Sequence, residues 1–190
     1  VKRTILLSLA MMLVLASTSS FAPAPTVDAA KPQAFSADIV VWPAGAPNNV
    51  QHGNSDRWRT VYERYGGVAS GDINGSIDMS ITTNFVQTDA EGPFSGPFHS
   101  TLVITTYDGG TITLNVTGKI DGVKAYFGPR YGVQIAYASI TGKFNSTSAT
   151  GSQEGKHVNG TLDYLIDLTN GPPPPYGGGI SEGTLTGTIH

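Results

Sequence analysis

Cysteine is absent from the 190 residues. That removes disulfides, thiolate metal sites, a cysteine nucleophile and a lipid anchor on a leader cysteine. A small domain without staples is held by its core and its hydrogen-bond ladder alone. Charge is scarce as well: Asp, Glu, Lys and Arg make up 13% of the chain, and the formal net charge is -3. Surface helices draw their wet faces from Glu, Lys and Arg, so little material for them exists. No Lys/Arg cluster follows Lys2 and Arg3, which argues against nucleic acid as a partner because phosphate neutralisation needs a clustered basic face. Long apolar runs are missing too. The apolar stretch Ile5 to Ala16 is well short of the ~20 residues that cross a hydrocarbon core.

Familiar chemical motifs are equally thin. His52, His99, His157 and His190 are scattered without the spacing that holds a metal, and no Gly-x-Ser-x-Gly elbow is present. No metal or other cofactor is expected. Asp72-Ile73-Asn74-Gly75 has a faint calcium-loop look but lacks the later bidentate acid, so a turn entering a strand explains it better. Asp163 and Asp167 sit two pleats apart on one strand face, where the alternating pattern makes them the solvated side. Four glycan-acceptor triplets, at Asn74, Asn115, Asn145 and Asn159, are what chance yields in so Thr- and Asn-rich a chain.

What is present points to strands: 24 Gly, 12 Pro and abundant Thr, Ser and Asn, the residues of turns and of solvent-facing strand positions. Residues 1–29 read as a signal peptide, with Lys2 and Arg3 before the short apolar run, and residues 30–36 as a flexible tether. The expected location is therefore secreted or extracytoplasmic, with no membrane span in the mature chain. A single domain follows over 37–190. Ala37 to Trp42 forms a first strand stopped by Pro43, and 44–55 is a loop by composition. In 57–65 the apolar residues fit a helix face or a strand; the aromatics and the Gly66-Gly67 stop favour a strand.

The organising stretch runs from Asp72 to Asp121. Ile73, Gly75, Ile77, Met79, Ile81, Thr83 and Phe85 share one parity, Phe98, Ser100, Leu102, Ile104 and Thr106 repeat it, and Ile112, Leu114, Val116, Gly118 and Ile120 return after Asp108-Gly109-Gly110. Alternation of this kind marks strands with one dry face, joined by a tight reversal. The segment 121–132, with its Gly, Pro and aromatics, is expected to be an ordered loop, 142–145 a turn, and 172–179 an exposed connection. Strands are expected again at 133–140, 160–168 and 183–190. The total of about eight predicts an all-β fold, a single antiparallel β-barrel, with a β-sandwich as the alternative.

From Thr101 onward the order of features resembles the calycin-type barrel of the allene oxide cyclase and dirigent families: the hairpin at Asp108-Gly109-Gly110, then Gly118-Lys119-Ile120-Asp121-Gly122, Ile140-Thr141-Gly142-Lys143-Phe144 and Ala149-Thr150-Gly151-Ser152. The resemblance covers about the second half of the mature chain and implies the barrel. Ile140 and Thr141 stand where a Gly pair is usual. The families' catalytic carboxylates and arginines match no motif in this chain, so none are assigned.

The candidate ligand-binding residues are aromatic and cationic: Trp58, Tyr62, Tyr126, Arg130, Tyr131 and Tyr176. Aromatic faces beside a guanidinium suit a flat or sugar-like ligand at a barrel mouth. The bland alternative makes Trp58 and Tyr62 core and the others loop anchors. Three roles follow: a barrel binding a small apolar or aromatic ligand without catalysis; a cyclase-like or dirigent-like enzyme steering a reactive intermediate, which needs a lumenal ionisable pair such as Glu63 with Arg64 or Arg130; or an extracellular structural protein.

Overall fold

The computed structural model describes residues 31–44, 48–51, 57–86, 93–128, 132–167 and 181–190, with side chains for 31–42, 44, 65–84, 93–122, 137–166 and 181–190. The strands are β1 (Gln33–Pro43), β2 (Asn48–Gln51), β3 (Arg57–Gly71), β4 (Gly75–Val86), β5 (Phe94–Thr106), β6 (Thr111–Gly128), β7 (Gly132–Thr150), β8 (Val158–Asp167) and β9 (Ser181–Ile189). Among the described residues the sole helical element is the 3-10 turn Gly151–Gln153.

Every strand pair is antiparallel, in the order β1-β9-β8-β7-β6-β5-β4-β3, and β1 pairs with β3 to close an eight-stranded barrel. The short β2 lies on the same edge of β3, opposite Trp58 to Val61, where β1 has already ended at Pro43. Closure leaves no free edge along the ring, which is how a Thr- and Val-rich sheet avoids pairing with other chains. The ladder is staggered. A walk from Thr83 across Phe98, Gly118, Gly142, Leu162, Leu185, Ala37 and Gly71 comes back to β4 at about Ile73, some ten residues lower. A stagger of that kind requires strands tilted steeply to the barrel axis.

Alternation sets what the barrel encloses. Ile77, Met79, Ile81, Leu102, Ile104, Ile112, Leu114 and Ile120 all point inward and are buried in one continuous cluster with residues of β1, β8 and β9. The helix or strand ambiguity at 57–65 resolves as strand, because this segment is the first half of β3 and pairs with β4 through an irregularity between Tyr62 and Tyr65.

Besides the loop expected over 44–55, within which β2 forms at Asn48–Gln51 by pairing with β3, three expectations need correction. First, β1 begins at Gln33, so residues 33–36 of the expected tether are paired with β9. Second, the expected loop 121–132 is mostly strand: β6 continues to Gly128 and β7 starts at Gly132. Third, the expected turn at 142–145 is the interior of β7. Gly142 does not reverse the chain but stands opposite Gly118, where a Cβ on Gly118 would lie 2.1 Å from the Thr141 carbonyl oxygen. Glycine there lets two coiling strands approach, a closure device rather than a turn signal.

Aromatic rings cover other glycines across the ladder. Phe144 faces Gly160, Phe94 faces Gly122 and Tyr164 faces Gly183, each ring filling the space a methyl would take. A ring placed over a glycine restores packing that the missing side chain gives up.

One end of the barrel is tied by a polar clasp. In the β5–β6 turn Gly109 takes a positive φ of 95°. The Asp108 carboxylate accepts hydrogen bonds from Thr106 Oγ1, Ser152 Oγ and Gln153 Nε2, and Lys156 Nζ donates to Gln153 Oε1 at 2.8 Å. The same end is pinned by Asp72, which accepts from the Ser36 amide at 2.9 Å, and by paired backbone bonds between His157 and His190.

Candidate ligand site inside the barrel

The wall that encloses the aliphatic core also turns hydroxyls inward. Thr83, Ser100 and Ser181 are buried, as is Tyr164, and the side-chain oxygens of all four lack a hydrogen-bond partner among the described residues. Buried Thr106 is different: its hydroxyl is used in the clasp, donating to Asp108 and accepting from the Gly110 amide. A buried hydroxyl left unmatched costs about 1–3 kcal/mol, a large share of a domain's net stability when repeated.

Register places the four in two pairs. Thr83 stands opposite Phe98, and Ser100 is two residues along on the same face, so the β4 and β5 hydroxyls are diagonal neighbours. Tyr164 stands opposite Gly183, and Ser181 is two residues away, giving a second diagonal pair on β8 and β9. Strands β6 and β7 separate the pairs on one side and β3 and β1 on the other, so they occupy opposite walls. Thr83, Tyr164 and Ser181 lie near the strand ends remote from the clasp, and Ser100 lies at the middle of β5.

As far as the described residues line it, this interior carries no formal charge. Among the described residues the ionisable side chains turned inward are tyrosines, Tyr65 and Tyr164, while Asp38, Asp78, His99, Lys119, Lys143, Asp163 and Glu182 are exposed on the outside. Burial pushes the Tyr164 phenol up to about 12, opposed weakly by the nearby Ser181 hydroxyl. Ser181 is close enough to favour the phenolate slightly but lacks hydrogen-bond geometry, so both oxygens remain unmatched. A phenol held protonated both donates and accepts. Hydrogen bonds from Ser152 and then Thr106 hold the Asp108 carboxyl below its ordinary range, and Lys119, 2.8 Å away, does the same for Asp121 on the outer wall.

The outer wall carries two open hollows, about 250 Å³ along β4 to β6 around His99 and about 500 Å³ along β6 to β8 between Lys119 and Lys143. The first is lined by exposed or half-buried polar side chains such as Thr82, His99 and Asn115 and reaches down to the buried Ser100 and Val116; the second is lined by Lys119, Thr141, Lys143 and Asp163 over the buried Leu162. No group of His, Asp or Glu among the described residues is arranged to hold a metal ion.

The six residues singled out from the sequence are placed in part. The backbones of Trp58 and Tyr62 belong to β3, opposite Phe85 and Ile81, and that of Tyr126 belongs to β6, opposite Gln134. Their side chains, and Arg130, Tyr131 and Tyr176 altogether, lie outside the described residues. The same holds for the side chains of Glu63 and Arg64. Sequence reasoning missed the four hydroxyls, although the signal was there: Thr83 and Ser100 are in phase with aliphatics that must point inward, and so is Tyr164 with Leu162 and Ile166. No family model, no curated protein and no solved structure matches this chain.

Proposed function

We propose that this is an exported β-barrel that binds one small, largely apolar or aromatic molecule in the half of its interior remote from the clasp, without catalysing a reaction on it. The observation that carries the reading is the set of four buried, unmatched hydroxyls within an aliphatic and aromatic core. Unmatched buried polar groups call for an occupant or a role, since folding alone gains nothing from them. Eight strands enclose an interior wide enough for side chains or one small ligand. Among the described residues the ionisable side chains turned inward are tyrosines, and Tyr164 offers a hydroxyl on an apolar ring, which supports holding a molecule over transforming it. Titration with the uncharged probe N-phenyl-1-naphthylamine tests this. The expected result is a saturable, blue-shifted rise in emission at one probe per chain; unchanged emission at saturating probe contradicts it.

A further inference from the structure

We infer that the inward hydroxyls select a ligand that is uncharged and carries an oxygen function at each end of an apolar body. This rests on the lumenal binding proposed above and narrows its ligand class.

The two diagonal pairs, Thr83 with Ser100 and Tyr164 with Ser181, stand on opposite walls of one closed ring. The side chains around them are aliphatic or aromatic, Ile81, Phe98, Ile140 and Ile166 among them, all buried. An occupant that reaches both walls meets hydrogen-bonding groups at its two ends and hydrocarbon between. Each pole can donate or accept, because every one of the four groups is a hydroxyl. Neither pole offers a formal charge, so a carboxylate or ammonium entering here would give up its hydration with no ion among the described residues to replace it. A wholly apolar occupant would leave all four oxygens unmatched. The match is therefore to a diol, a hydroxyketone, a lactone or another molecule of that neutral, two-poled kind.

The test is a matched set of probes on the full chain near neutral pH: naphthalene, 2-naphthol, naphthalene-2,6-diol and 2-naphthoate. Each neutral hydroxyl is expected to tighten binding roughly three- to tenfold, the range of one net hydrogen bond, while the carboxylate binds more weakly than 2-naphthol. The double variant Thr83→Val/Ser100→Ala is expected to erase one step of that series, and Tyr164→Phe/Ser181→Ala the other. Folding of both variants is checked separately, by circular dichroism and urea melts, and the lost step is read within each variant as the affinity of 2-naphthol and of the diol relative to naphthalene, which itself should bind no more weakly than to the parent. If naphthalene binds as tightly as the diol, if the carboxylate binds tightest, or if the hydroxyl advantage survives both double variants, the inference is overturned while lumenal binding stands. If none of the four probes binds, the binding proposal falls together with it.

Discussion

At the scale of single residues, the barrel distinguishes positions that fill space from positions that leave chemistry unfinished. Leu102 is fully buried on β5 with aliphatic neighbours, so Leu102→Ala is expected to cost about 2–5 kcal/mol in denaturant melts. Tyr164→Phe should behave in the opposite way, leaving the stability of the unliganded protein unchanged or raising it by up to about 3 kcal/mol, because the deleted oxygen has no partner to lose. A loss of 2 kcal/mol or more, on the order of a satisfied buried hydrogen bond to a charged group, would place a hidden partner there. Gly160 faces the Phe144 ring, and a Cβ on it would come within 2.0 Å of the Thr186 carbonyl oxygen. Gly160→Ala is accordingly expected to cost about 1–3 kcal/mol through forced strand displacement. Legibility at this scale was uneven. The parity of Ile77, Met79 and Ile81 announced their direction, but a lone Thr or Tyr in phase with them says only which way it points. Whether its oxygen finds a partner depends on the neighbouring strand, which periodicity does not report.

At the scale of elements, the clasp is the most testable unit. Asp108 joins the β5–β6 turn to the turn preceding β8 through Thr106, Ser152 and Gln153. Its carboxyl sits below the ordinary range in the folded protein, chiefly through Ser152. The unfolded chain therefore takes up the proton first as pH falls. The clasp's contribution to stability is complete above the ordinary carboxylate range and is lost as pH drops through the folded value. Urea melts across acidic pH should show this loss in the parent and a flatter dependence in Asp108→Asn. Equal slopes in the two proteins would remove the carboxylate from the account. The Asp108-Gly109-Gly110 reversal was legible because Gly tolerates the positive φ that such a turn demands. The run of β6 through 121–128 and of β7 through Gly142 was not, because glycine marks both turns and the bends of a closing barrel. Only the partner strand, with Gly118 opposite Gly142, separates the two uses.

At the scale of the molecule, a closed ring with one tied end and neutral hydroxyls toward the other predicts how binding proceeds as well as what binds. The four oxygens have almost no contact with solvent in the closed barrel, so a ligand reaches them only after the wall or its covering side chains yield. Stopped-flow association of a neutral probe should be slower than about 10⁵ M⁻¹s⁻¹, the lower end of ordinary docking rates. Alkali should expose the same burial. With the Tyr164 phenol raised to about 12 from an ordinary 10.0, the unfolded chain loses its proton first, and stability falls as pH climbs between those values. The barrel itself was readable from strand count and alternation, and so was its eightfold closure; the class of ligand proposed for it was not, since no motif in a strand encodes a ligand. Native mass spectrometry of the protein purified from its own host under non-denaturing conditions tests the central claim most directly. A one-to-one adduct of a small neutral molecule is expected, diminished when Thr83→Val/Ser100→Ala and Tyr164→Phe/Ser181→Ala are combined. A bare polypeptide mass in every preparation, with no adduct at any activation energy, would contradict it.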